Sequence, residues 1–258
     1  MDEAWVRSIV ALPFGLVVGS FMTVAVHRLP KGESVVRPRS SCPACGAEVG
    51  ARDNVPVLSW LLLRGRCRRC GERISVEYPL IELATAGLVV LAAIRYPDPW
   101  QAVLVGGLLA LMPGVALIDL RHRIIPNRLM YPALLLFAPV IVLAGLIGDA
   151  VDPVRAGIGL LLYGGILFVV AVVSRGMGMG DVKLAALIGL VLGSLGLRYV
   201  GVAAGAAIVL GGLGGLVALM MGKGRKSAIP FGPYLAAGAV ISGLWGEAIA
   251  SWYISRFL

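Results

Sequence analysis

The chain is 258 residues long, 59% hydrophobic and only 14% charged, with a formal net charge of +9. A soluble domain carries roughly 25% charged residues, so this composition excludes one and makes lipid the solvent for most of the chain. The basic excess would suit a nucleic acid, but it collects in particular loops and reads as a topology signal, so no nucleic-acid partner is expected.

A membrane-spanning helix needs ~20 mainly apolar residues. Eight runs qualify, at about 4–26, 79–95, 101–118, 129–148, 156–173, 182–197, 199–221 and 234–254. The expected fold is therefore an all-α polytopic membrane protein of about eight transmembrane helices. The first run is read as a retained helix rather than a cleaved signal. Asp2 and Glu3 precede it together with Arg7, and Arg28 and Lys31 follow it where a small-residue cleavage site would stand.

Residues 28–77 form the one long polar stretch. It holds all four cysteines, as Cys42-Pro43-Ala44-Cys45 and Cys67-Arg68-Arg69-Cys70, with 21 residues between the pairs. Two such pairs at this separation signal zinc, supplying four thiolates for a tetrahedral site, and Gly46 and Gly71 suit the tight turns that present them. A closed four-thiolate site is structural, and a metal would supply folding energy that so small an insert lacks. The competing reading is two disulfides.

The third run ends at Asp119, and Pro126 sets a turn before the fourth. The sixth opens at Asp181 behind Gly176, Gly178 and Gly180, which let the backbone approach another segment closely. Gly201 to Gly205 and Gly211 to Gly215 have spacings suited to close helix packing.

Of the 23 Lys and Arg, 18 fall in 28–77, 119–128, 174–183 and 222–228, which eight spans place on one side. The positive-inside pattern makes that side cytoplasmic, with both termini opposite. Asp119 and Asp181 then share the cytoplasmic face. Carboxylates at a bilayer border mark function, and two that share a proton can serve as general acid and general base. Lys183 would support a charged carboxylate if it faces the pair. Simpler roles also fit: Asp119 paired with Arg121 or Arg123, Asp181 as a helix N-cap. His27 and His122, the two histidines, read as interfacial residues.

Taken in order, these motifs resemble the bacterial type IV prepilin peptidases that are both leader peptidase and N-methyltransferase. The resemblance is carried by Gly19-Ser20-Phe21-Met22-Thr23-Val24-Ala25-Val26-His27-Arg28-Leu29-Pro30, both cysteine pairs, Asn54-Val55-Pro56-Val57-Leu58-Ser59-Trp60-Leu61, Tyr78-Pro79-Leu80-Ile81-Glu82-Leu83, the Asp119 motif, Gly178 to Asp181, and Ile229-Pro230-Phe231-Gly232-Pro233-Tyr234. Thr23 stands where the family usually has Asn.

The resemblance implies an integral membrane aspartic peptidase of the bacterial plasma membrane, with Asp119 and Asp181 catalytic. Its substrates would be prepilins and the pseudopilins of type II secretion. After cleavage it would methylate the new N-terminus with S-adenosylmethionine. It also implies a division into a first helix (1–27), a cytoplasmic zinc-binding domain associated with methyl transfer (28–78) and a transmembrane peptidase core (79–258). No dinucleotide-type glycine fingerprint follows a predicted strand, so the donor site is not legible. Glu82 could steer the pilin amine or the donor's sulfonium, or pair with Arg28 or Arg73. A transporter using the two aspartates as proton or cation sites is the alternative, and a membrane scaffold with a metal module is a third.

Overall fold

The computed structural model describes residues 3–174, 177–221 and 230–257. Gly176, Ile229 and the basic loop 222–228, all part of the sequence argument, lie outside the described residues. The eight apolar runs are all helices: α1 (Glu3–Arg28), α3 (Glu77–Arg95), α4 (Pro99–His122), α5 (Asn127–Ile147), α6 (Pro153–Ser174), α7 (Met179–Leu195), α8 (Leu197–Met220) and α9 (Gly232–Phe257). A short α2 (Leu58–Leu62) lies in the insert. In lipid no water can satisfy a backbone amide, so each run closes its own hydrogen bonds as a helix.

Seven of the eight are long and apolar enough to cross a membrane. The expected eighth span, α7, has 17 residues and measures about 26 Å, short of a ~30 Å hydrocarbon core. It is the central helix, packed by α4, α5, α6, α8 and α9. Leu184, Ala185, Leu187, Ile188, Val191 and Leu192 are fully buried on it, so protein rather than lipid surrounds much of its length.

The chain punctuates these helices where the sequence indicates. The Asp98 side chain accepts the Gln101 amide at 3.0 Å to start α4, and Asp152 Oδ1 accepts those of Val154 and Arg155 at 2.8 and 3.1 Å to start α6. Pro126 is the N-cap of α5, after a turn of only a few residues. Alternating direction brings the ends of α1, α4, α6 and α8 and the starts of α3, α5, α7 and α9 to one side, where the insert joins α1 to α3.

Close packing uses only some of the expected glycines and adds others. Gly201, Gly205, Gly212 and Gly215 meet nothing within 4 Å of where a Cβ would stand. The tight crossing is α6 on α7, where a Cβ at Gly193 would lie 2.8 Å from the Arg155 carbonyl and 3.1 Å from the Gly159 Cα. Gly211 and Gly214 do pack, against the rings of Phe231 and Tyr234. Small residues let backbones touch only where another helix is present, and the open glycines of α8 face outward.

Candidate active site and metal centre

Asp119 sits in the last turn of α4, 5% exposed. The Gly232 amide, first in α9, donates to its Oδ2 at 2.9 Å. A helix start presents free N–H groups and a partial positive charge, a natural seat for a carboxylate. A Cβ at 232 would stand 2.7 Å from that Oδ2, so only glycine lets the α9 backbone come so close. Neither Arg121 nor Arg123 is the partner of Asp119. Arg121 binds Glu77 through both guanidinium nitrogens, and Arg123 ends α4 in the left-handed region at φ 55°.

Asp181 is in the first turn of α7, half-buried, and within electrostatic reach of Asp119. It is not the N-cap; Gly178 is. A Cβ at 178 would lie 3.5 Å from Asp181 Oδ2, so the carboxylate turns back over the cap, a position that favours acids. Gly180 lets this turn rest on the α4–α5 connection: a Cβ there would be 2.8 Å from Ile125 Cβ. The two carboxylates thus come from α4 and α7, at the same end, with the α9 start closing one side.

Lys183 turns elsewhere. Its ammonium donates to Asn127 Oδ1 at 2.6 Å and lies 4.7 Å from the centre of the Tyr131 ring, so it ties α7 to α5 instead of facing the aspartates. His122 is exposed. His27 Nδ1 is 2.8 Å from the Thr23 carbonyl oxygen, and its ring stacks on Tyr78 at 4.9 Å. Glu77, first residue of α3, lies 3.9 Å from His27 Nε2 as well as gripping Arg121. One carboxylate therefore joins the end of α1, the start of α3 and the last turn of α4, the turn that also carries Asp119.

Glu82 pairs with neither Arg28 nor Arg73. It is 7% exposed, and its Oε2 accepts the Val57 amide of the insert at 2.7 Å. Gly19 makes room: a Cβ there would fall 2.7 Å from Glu82 Cα. Arg28 is spent on the carbonyls of Ser34, Pro38 and Arg39. Thr23, buried, donates to the Ser20 carbonyl within α1.

The four cysteines converge from two matching knuckles. In one, Gly46 donates to the Cys42 carbonyl at 2.9 Å; in the other, Gly71 donates to that of Cys67 at 3.0 Å. Both glycines are at positive φ, 68° and 72°. The sulfurs all lie within 4.8 Å of one another, and those of Cys42 and Cys70 are 3.7 Å apart. Metal–thiolate bonds of about 2.3 Å set a tetrahedron edge of about 3.8 Å. The quartet fits one tetrahedral metal ion rather than two disulfides, and all four cysteines are free. Amides of Cys70 and Arg69 donate to Cys67 and draw its thiol down to about 7.

The Gly232 contact and the Glu77 clamp were not anticipated. The only sequence signal for the first was a glycine set between Pro230 and Pro233. The second joins residues 44 positions apart, beyond any local pattern.

Two family models match the chain: the bacterial peptidase A24 N-terminal domain over residues 13–96 and the type IV leader peptidase family over 102–216. The chain is 36% identical over 249 residues to a prepilin leader peptidase/N-methyltransferase of Bacillus subtilis, covering 95% of this chain and 97% of that one. It is 35% identical to one of Aeromonas hydrophila, covering 98% and 96%, and 34% identical to one of Pseudomonas aeruginosa, covering 93% and 91%. No solved structure matches it. With both of the family's domains matched in order and relatives aligned nearly end to end, the chain belongs to the type IV leader peptidase family.

Proposed function

We propose that the protein cleaves the leader peptides of prepilins, pseudopilins included, with Asp119 and Asp181 as the catalytic pair, and methylates the new N-terminus. The observation that carries the reading is the convergence of the two carboxylates at one end of the bundle, with the Gly232 amide on Asp119. A pilin precursor's hydrophobic helix can lie in lipid beside the enzyme while its scissile bond reaches that end. One aspartate, ionised, takes a proton from water as the oxygen attacks the carbonyl carbon. The other, protonated, donates to the carbonyl oxygen. Collapse of the tetrahedral intermediate breaks the C–N bond, and the amine leaves with a proton from the pair.

Gly178 and Gly180 shape the turn that presents Asp181. Lys183 holds that turn through Asn127 and Tyr131. The family match lends no support to transport.

For the second step S-adenosylmethionine supplies an electrophilic methyl group. In the reading favoured here Glu82, on α3 and bonded to the insert, attracts the cationic partner of that transfer. Cys42, Cys45, Cys67 and Cys70 would hold zinc, the divalent ion that four thiolates favour, and it would serve to fold the insert. The division at residues 28–78 then assigns the insert to methyl transfer and 79–258 to cleavage. The insert and the aspartates lie at the cytoplasmic face of the bacterial inner membrane, and the concentration of Lys and Arg in the segments on their side supports that orientation.

The test is to incubate the purified protein in lipid with a prepilin and S-adenosylmethionine and weigh the product. A mature chain lacking its leader and heavier by one methylene unit is the expected result. An uncut precursor would overturn the peptidase reading, and a cut but unmethylated chain would overturn the methyl-transfer half.

A further inference from the structure

The insert carries apolar surface that its metal centre does not explain. Leu58, Leu61 and Leu62 of α2 are 56, 57 and 81% exposed, and Val55 just before them 43%. Spaced i, i+3, i+4, the three leucines form one face of the helix. Ser59 is buried on the other side, and the Trp60 indole N–H donates to the Ile74 carbonyl at 3.1 Å. A cluster of exposed leucines on a small polar domain marks a contact surface.

Two hydrogen bonds set the depth of that surface. Trp60 ties α2 to the segment entering α3, and the Val57 amide reaches Glu82. Glu82 is five residues beyond the α3 start at Glu77, about 7.5 Å along the helix axis. At this level of α3, a helix long and apolar enough to cross a membrane, Leu80 and Leu83 are 59 and 51% exposed, as lipid-facing side chains would be. The α2 leucines therefore continue an existing lipid-facing band. In the same insert Arg64, Arg66, Arg69 and Arg73, which follow α2 in sequence, are exposed, and none is in an ion pair among the described residues.

We propose that α2 is an interfacial helix: its Leu58–Leu61–Leu62 face sinks to the boundary between headgroups and acyl chains, and these arginines engage anionic lipid phosphates. Apolar residues on one side with cationic residues beside them are the composition of such helices. The insert then rests on the bilayer, held at the same level as Glu82, instead of projecting freely into water. The charge of these arginines and the apolar leucine face together complement an anionic lipid surface, which is the occupant.

The test places a photoreactive benzophenone in the full-length protein as Leu62→p-benzoylphenylalanine, with Glu48→p-benzoylphenylalanine as an exposed polar control in the same insert. Both proteins are checked for bound metal, reconstituted in nanodiscs of phosphatidylethanolamine and phosphatidylglycerol, irradiated and analysed by mass spectrometry. Phospholipid adducts at 62 severalfold above those at 48, falling severalfold when phosphatidylcholine replaces phosphatidylglycerol, are expected. Adducts no higher than the control, or adducts at 62 formed chiefly with added prepilin or a second copy of this chain, would overturn the proposal. An undiminished yield in phosphatidylcholine would overturn the role of the arginines.

Discussion

The Gly232 amide donates to Asp119 Oδ2 at 2.9 Å across 113 positions of sequence, so the start of α9 and the end of α4 meet at one carboxylate. A methyl group at 232 would occupy space 2.7 Å from that oxygen. Gly232→Ala is expected to keep the helices and lower prepilin cleavage about tenfold or more, from the loss of one hydrogen bond to a buried carboxyl group. Initial rates at saturating prepilin, alongside circular dichroism in detergent, check this.

Glu77 and Arg121 form a two-nitrogen clamp between α3 and the turn of α4 that carries Asp119. Glu77→Ala should slow cleavage about threefold to tenfold, the range of a charge-assisted pair that is only partly screened. The exchanged pair Glu77→Arg with Arg121→Glu should recover most of the rate. Rates of the two single variants and the double variant provide the check, since a loss through misfolding would not be recovered by the exchange.

Glu82→Gln separates charge from shape. The amide oxygen of Gln can still accept the Val57 N–H, whereas Glu82→Ala leaves that buried donor unpaired at a cost of about 1–3 kcal/mol. The Gln variant should cleave prepilin normally and methylate at least about tenfold more slowly. The Ala variant should also lose stability. Product masses and thermal midpoints distinguish the two.

Asp53 accepts hydrogen bonds from Arg68, between Cys67 and Cys70, at 2.7 to 3.0 Å, and that bond with the guanidinium charge holds its carboxyl below the usual range. A lowered folded-state pKa stabilises at pH values above the unfolded one, about 3.9, and that stability disappears as pH falls through the folded value. Asp53→Asn should therefore lower the midpoint of metal release on heating at pH 7. The difference between variant and parent should shrink as pH falls below the ordinary carboxylate value, about 3.9. The pair is at the surface, so the effect is small.

The apolar runs made the helices legible, because a spanning segment must be both long and self-bonded. Four cysteines in two spaced pairs made the metal quartet legible in the same local way. Asp119 and Asp181 could be placed on one side by counting spans and basic loops. What escaped were relations between distant elements. Gly232 reads as part of a proline-rich turn until α9 is seen to start against Asp119. Lys183, two residues from Asp181, turns to Asn127 and Tyr131 because α5 packs on that face of α7. Gly201 and Gly205 carry a packing spacing, yet among the described residues no helix comes within reach of them. α7 was counted as an ordinary span, although at 17 residues it is short for one and lies at the centre of the bundle.

The most direct measurement is prepilin cleavage by Asp119→Asn and Asp181→Asn, each purified in lipid with bound metal and thermal midpoint compared with the parent. Asn keeps the shape of either side chain and cannot take or give the proton. Cleavage lost in both variants, while metal content and folding match the parent, is the expected result. Cleavage at near-parental rate in either variant would contradict an aspartate pair as the catalytic centre.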